Sequence, residues 1–361
     1  MVESRKDVLV TSGDLHAVIV ACARAAQVGE PAAAAFASHI VEAHLRGVDT
    51  HGLRRLRPYL ARVAVGGVDA LAEPVIEAHG AVLRVDGRNG IGQYVARVAA
   101  DAVIAKARDT GVSIALVRNS NHFGFAGFYA SHIAAASMVG LVTSNGQVMV
   151  GPDGALQPIF SNDPLAISAP YASGSMFELD LALSVTSRQN IVRAARMGQM
   201  IPPGTALDRN GFETTEAEAA LEGLLLAFGG ARGFALLSAV EVLTGVLTGG
   251  AYADLVGSKE ASPDQPEATA HFMLAIDLEH ALGAALFNLR LADLADRLQG
   301  LPMREGTPRP RMPGARRWQL RAERLEEGIP LAPPDIADLL DLCMECGVLA
   351  PADWTRDTDG A

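Results

Sequence analysis

The chain has 361 residues, of which 49% are hydrophobic and 20% charged, and a formal net charge of −11 at pH 7. Its length predicts two or three domains, and its composition excludes a disordered chain. The acidic balance argues against a general nucleic-acid or anionic-membrane binder, because such surfaces require accumulated positive charge.

The N-terminal stretch MVESRKDVLVTSGDL lacks a charged-then-apolar leader layout. No apolar run reaches about eighteen residues, so a cytoplasmic protein without membrane spans is the expectation. DLHAVIVACARAAQV and GEPAAAAFASHIVEAHLRG place apolar residues at three- and four-residue intervals, predicting two helices around a Gly-Glu-Pro break. IEAHGAVLRVDG alternates as a strand does, NGIG is a turn, and QYVARVAADAVIAKARDTG is an amphipathic helix. VSIALVR reads as a strand, NSNHFGFAGFYASHIAAASMVG as a loop feeding a helix, and LVTSNG as another strand and turn. Residues 151–187, rich in Gly, Pro, Ser and Asp, predict strands emerging into polar loops, with helices at 188–199 and 216–224. FGGARGFALLSAVEVLTGVLTGG is a glycine loop followed by a buried helix. HFMLAIDLEHA is a strand, ALFNLRLADLADRLQGL a helix, and REGTPRPRMPGARR a linker or phosphate-side loop. The last forty-odd residues are helical again. Strands mixed with helices indicate an α/β or α+β protein.

There are three cysteines, Cys22, Cys343 and Cys346, and the C-x-x-C has no second ligand pair nearby. They read as core or helix-face thiols, with no metal site or disulfide framework implied.

Within this acidic chain, HLRGVDTHGLRRLRPYL (residues 44–60) gathers two histidines and four arginines. On a helix, His51 and Arg55 at i and i+4 would project together. A guanidinium can hold a carboxylate through two hydrogen bonds, an imidazole can give or take a proton near neutrality, and the Thr50 hydroxyl can orient it. The plainer reading is a helix capped by Asp49 or Thr50 with its arginines in water. RNSNHFGFAGFYA brings His122 to the end of a strand, with Gly124 leaving room for a ligand near the backbone. Asp180, between apolar neighbours in LDLALS, requires a partner if buried. GGARG, containing Arg232 and Gly233, opens a helix in a way that suits a phosphate. No G-x-G-x-x-G, Walker loop, H-E-x-x-H or G-x-S-x-G signature stands in the required setting.

Together, LRGVDTHG, NSNHFGFAG, SNDPLAISAP, LDLALS, IPPGTALDRNGFETT and FGGARGFAL resemble, in order, blocks of the malate/L-lactate dehydrogenase family of the sulfolactate-dehydrogenase type. That family is unrelated to the Rossmann-fold lactate and malate dehydrogenases, and the resemblance runs from about residue 14 to about 317. It implies an α/β (α+β-like) fold with a helical part made from both chain ends and a central cofactor domain on a mixed, largely antiparallel sheet. The implied division is 1–75 completed by 318–361, 76–133 completed by 300–317, and 134–299 for the cofactor.

The resemblance further implies an NAD- or NADP-dependent oxidoreductase acting on a small 2-oxo or 2-hydroxy acid. His51 would be the proton donor or acceptor, Thr50 a hydroxyl relay, Arg55 the carboxylate ligand, and Asp180 a support for the histidine. His122 falls on a residue serving catalysis or cofactor contact. Gly124, Asp180, Leu181, Ala182, Arg232, Gly233, Pro313, Gly314 and Arg316 would line the cofactor, with no metal involved. The partners implied are a carboxylate substrate and a second copy in a homodimer. Asp163 stands where the family has asparagine, so it would repel a carboxylate or favour a cyclic imine, making an imine-carboxylate reductase the first alternative. The altered LDLALS and GGARG blocks support a second: a non-redox cyclase, lyase or binding protein on the same scaffold.

Overall fold

The computed structural model describes residues 7–171 and 174–354. The first helix, Ser12–Ala25, starts where the Thr11 hydroxyl accepts from the Asp14 amide at 3.0 Å. It buries Leu15, Val18, Ile19, Cys22 and Ala23, the stripe expected of a 3.6-residue period. The second helix, Glu30–Leu45, opens with a proline in its first turn and packs against the first through Phe36, Ala37 and Ile40. Both share a core with Ile336, Leu339, Leu342 and Cys343 of the last helix, Pro333–Cys346. Strand Val8–Val10 pairs antiparallel with Ile329–Leu331, so the two ends of the described chain close one helical layer.

A seven-stranded sheet forms the middle of the molecule. In spatial order its strands are Val75–His79, Val82–Asp86, Val112–Ser120, Thr269–Asp277, Met138–Ser144, Leu165–Pro170 and Met176–Leu181. Val82–Asp86 runs parallel to Val112–Ser120, and the other neighbours are antiparallel. The sheet is mixed and largely antiparallel, not doubly wound. It draws strands from both sides of residue 134 and takes its central strand from a segment more than a hundred residues further on. Helices Gly92–Thr110 and Ala126–Ala135 cover it, with Val95, Ala99, Val103, Tyr129 and Ile133 packed on Val85, Ala115, Val117, Val142 and Met273.

A second, four-stranded sheet joins Glu213–Thr214, Ala206–Leu207, Leu224–Leu226 and Val150–Gly151. Its core contains Val150, Leu183, Ile191, Leu225, Leu237 and Val240. The helix expected over 216–224 stops at Glu222, and Leu224–Leu226 is a strand. Gly223 permits the change: a Cβ there would overlap the Leu207 carbonyl. Among the described residues, no helix is long and apolar enough to cross a membrane.

Candidate active site

Residues 51–55 do not form one α-helix, which corrects the i, i+4 reading. Two short 3-10 turns, Asp49–His51 and Leu53–Arg55, are separated by Gly52. The buried His44 ring dictates this, because its Nε2 accepts from the Leu53 amide at 2.9 Å. A Cβ on residue 52 would overlap that ring, so only glycine lets the chain pass. Arg55 instead folds back, its Nε donating to the Thr50 carbonyl at 3.0 Å. Thr50 is exposed beside His51, which is half-buried with an enclosed Nδ1 that has no partner in the structure.

The cation cluster resolves into separate tasks. Arg54 pairs with Asp335 at 2.9 Å, and Arg57 pairs with Asp338 at 3.0 Å and Glu345 at 2.6 Å, all on the last helix. Buried Arg46 pairs with Glu42 at 2.6 Å and Glu178 at 2.7 Å. Of the three cations that act on His51, Arg317 is paired with acids, whereas Arg55 and Lys259 have no carboxylate partner among the described residues.

His122 follows strand Val112–Ser120, and its ring stacks on His51 with centroids 5.6 Å apart and planes inclined by 15°. Its Nδ1 lies 2.5 Å from the Tyr59 hydroxyl, which the helix Leu56–Ala64 carries inward. Burial pushes the Tyr59 phenol up, so it stays protonated and can donate. Burial pushes His122 well below its usual range, reinforced by Lys259, His51 and Arg55. When Tyr59 donates, a neutral His122 carries its proton on Nε2 and presents an N–H donor there. Behind it, Asn121 donates to the Asn89 and Gly90 carbonyls and accepts from Arg62, which is itself paired with Glu267. Gly124 has φ +92°, and the space a Cβ would fill is taken by His39. The His39 Nε2 accepts from the Phe125 amide at 3.0 Å. That glycine therefore lets a buried imidazole, not a ligand, approach the backbone.

His51 is pushed down to about 3, first by burial and then by Arg55, Lys259 and Arg317. Its expected carboxylate support takes a different form. Asp180 accepts from Arg317 at 2.7 Å, and it is the Arg317 charge that acts on His51. Glu178 bridges Arg317, at 3.4 Å, and Arg46, giving an alternating ladder Glu42–Arg46–Glu178–Arg317–Asp180. Arg317 faces inward while Arg316, one residue earlier, is exposed at the start of helix Ala315–Glu327.

Asp163 stands apart. It is 0% exposed, has φ +29°, and neither carboxylate oxygen has a partner. Burial and the nearby Glu241 push its pKa well above the usual range, and the side chain is withdrawn from solvent. The carboxylate expected to repel or recruit a substrate is thus enclosed in the interior, and its burial disfavours the charged form.

Of the expected cofactor residues, Leu181, Ala182, Pro313 and Gly314 lie at or beside the edge strand Met176–Leu181. The Glu178 amide donates to the Pro313 carbonyl at 3.1 Å, and Gly314 presses on Glu178. The Phe228 amide donates to the Leu183 carbonyl at 2.9 Å, placing the GGARG loop beside the run that carries Leu181 and Ala182. Gly229 and Gly230 have φ of +68° and +62°, the space above Gly230 is open, and Arg232 is exposed at the start of helix Ala231–Glu241. An open glycine turn at the start of an eleven-residue helix, with a cation beside it, fits a nucleotide phosphate. Gly233 packs against the Phe228 carbonyl where any Cβ would collide.

A sequence profile of the malate/L-lactate dehydrogenase family matches residues 10–340, and the chain belongs to that family. It is therefore an oxidoreductase of the dehydrogenase/reductase type. The chain is 30% identical over 321 residues to a malate dehydrogenase of Pyrococcus horikoshii, covering 86% of this chain and 88% of that protein. It is 31% identical over 322 residues to the (2R)-3-sulfolactate dehydrogenase (NADP(+)) of Chromohalobacter salexigens, covering 88% and 93%. The Δ1-piperideine-2-carboxylate reductase structure from Pseudomonas syringae superposes with a TM-score of 0.85 at 32% identity, covering 93% of this chain and 99% of that one.

Sequence reasoning missed Tyr59, Lys259 and Glu178 as site groups. PYLARV and VGSKEAS carry no motif, and only the spatial convergence of their segments on His51 and His122 marks Tyr59 and Lys259.

Proposed function

We propose that the protein transfers hydride reversibly between a nicotinamide dinucleotide and the α-carbon of a small 2-oxo or 2-hydroxy acid, as a cytoplasmic homodimer. The observation that carries this reading is a neutral imidazole, His51, stacked on a second one beside two cations that lack carboxylate partners. In the oxidative direction, His51 accepts the proton of the substrate hydroxyl as the Cα–H bond breaks. In the reductive direction it returns that proton to the forming alkoxide. A bound nicotinamide supplies or accepts the hydride. Arg55 holds the substrate carboxylate, and His122, fixed by Tyr59, donates its Nε2–H to the reacting oxygen. Lys259 suits a second anionic group on the same substrate, as malate and 3-sulfolactate possess.

The electrostatics give the proton step a logic. Without substrate, Arg55, Lys259 and Arg317 disfavour an imidazolium at residue 51. An arriving carboxylate offsets these charges and raises the pKa of His51, coupling substrate binding to proton uptake. The cofactor residues in this reading are Leu181, Ala182, Arg232, Gly233, Pro313, Gly314 and Arg316, with the phosphates at the Gly229–Gly230 turn. Helix Ala284–Gln299 buries only Ala295 and exposes Leu286, Leu289 and Leu294, an apolar face that suits a second copy.

The test is an assay of oxaloacetate, sulfopyruvate, pyruvate and Δ1-piperideine-2-carboxylate with NADH and NADPH. Turnover is expected to be fastest with a dianionic 2-oxo acid, and Arg55→Ala to raise KM for every acid through loss of a charge-assisted contact. Faster turnover of the cyclic imine assigns the site to imine reduction, and binding of neither cofactor overturns the redox reading.

A further inference from the structure

The cysteines have no part in the chemistry above, yet tertiary structure gathers them, with Cys22 facing Cys343 first and Cys346 second. Cys22 lies on the buried face of the first helix and Cys343 on that of the last, with 321 positions between them in sequence and 3.9 Å between their sulfurs. Both are buried, whereas Cys346, one helical turn beyond Cys343, is half-buried. The surroundings are apolar: Leu15, Ile19, Leu339 and Leu342 belong to the same core. The helices are already tied nearby by the pairing of Val8–Val10 with Ile329–Leu331.

We infer that Cys22 and Cys343 form a peroxide-sensitive dithiol that closes to a disulfide joining the first helix to the last. A disulfide requires its sulfurs to close to about 2.05 Å, so this pair must approach by about 2 Å, within reach of side-chain rotation and a small helix shift. The oxidant must be small and uncharged to enter an apolar core, which describes hydrogen peroxide. The Cys343 thiolate attacks one peroxide oxygen, the O–O bond breaks, and hydroxide leaves, giving a sulfenic acid. The Cys22 sulfur then attacks the Cys343 sulfur, the S–O bond breaks, and water leaves. Overall, two thiols and one peroxide give one disulfide and two waters. The Cys22 S–H facing Cys343 holds the Cys343 thiol below its usual range, which favours Cys343 as the first nucleophile. This proposal is independent of the hydride-transfer reading.

The experiment treats the full chain with hydrogen peroxide, removes the excess, and titrates free thiols in denaturant. The titratable thiols are expected to fall from the three of the sequence to one. The intact mass should drop by about 2 Da, reversibly with dithiothreitol. Peptide mapping should find residues 22 and 343 linked. Cys346→Ser, a change at a half-buried helix end, should leave the linkage intact, and Cys22→Ser should abolish it. Three surviving thiols, a link from Cys346 to either other cysteine, or a covalent dimer on a non-reducing gel would each overturn the proposal. Because the mapping uses the unmodified chain, failure of a variant to fold does not blunt the test.

Discussion

The rings of His51 and His122 lie nearly parallel, inclined by 15° with centroids 5.6 Å apart, although 71 positions separate them in sequence. Two imidazolium ions at that separation would repel strongly, and both rings are held neutral by burial and by surrounding cations. In the free enzyme His51 is therefore a base at neutral pH, with a pKa depressed to about 3. The kcat/KM for hydroxy-acid oxidation should show no histidine inflection between pH 5 and 8, since that profile reports the free enzyme. An inflection between pH 6 and 7 would exclude a depressed His51 as the base. Replacing His51 by Ala should cut turnover at least about a hundredfold while leaving nicotinamide binding nearly unchanged.

Proton uptake follows from the same arrangement. A carboxylate that neutralises Arg55 and Lys259 raises the pKa of His51, so binding of a 2-oxo acid should take up protons. Calorimetric titration in buffers of different ionisation enthalpy measures this directly. Uptake should diminish in Lys259→Ala and vanish in His51→Ala.

Tyr59→Phe removes the hydroxyl bonded to His122 Nδ1 and frees the imidazole tautomer. One hydrogen bond is worth about 0.5–1.5 kcal/mol, so kcat should fall up to about tenfold with KM little changed. A KM effect without a kcat effect would show that Tyr59 only shapes the pocket.

Asp163→Asn should stabilise the fold above pH 4. The folded-state pKa of Asp163 is raised well above 3.8 by burial and Glu241. The unfolded chain therefore releases this proton first, and native stability falls as pH rises from the unfolded toward the folded pKa. Asparagine has no proton to lose, so its advantage in urea denaturation should be absent below about pH 4 and grow toward neutrality. An advantage that does not change with pH would mean that Asp163 is ionised in the native state.

Arg46→Met breaks the ladder at its most buried cation, whose side chain is 4% exposed, facing a fully buried Glu178. Removing one partner of a buried ion pair costs about 3–5 kcal/mol, and because Glu178 keeps its Arg317 contact at 3.4 Å the loss should lie at the lower end of that range. The melting temperature should drop, and Arg46→Met combined with Glu178→Leu should recover part of the loss.

Much of the fold was legible in sequence because its signals are local. The apolar spacing of DLHAVIVACARAAQV marked the first helix, and the alternation in IEAHGAVLRVDG marked a strand, which the structure divides into Val75–His79 and Val82–Asp86. Local spacing failed at GLRR, where a helix was expected and Gly52 passes under the His44 ring in two short turns. The family resemblance put Asp180 beside His51, where the structure binds it to Arg317, and Asp163 at the substrate, where the structure buries it in the interior.

The order of the motif blocks by itself determined the family, the kind of sheet, and the candidacy of His51, Arg55 and His122, because those signals depend on residue type and short spacing. Only the tertiary structure decided which cations pair with acids, leaving Arg55 and Lys259 without them, and that Tyr59 meets His122 at Nδ1. It also decided that two cysteines from opposite ends of the chain touch. Those outcomes depend on burial and on contacts across hundreds of residues, where desolvation and facing charges set protonation, and neither can be read from neighbours along the chain.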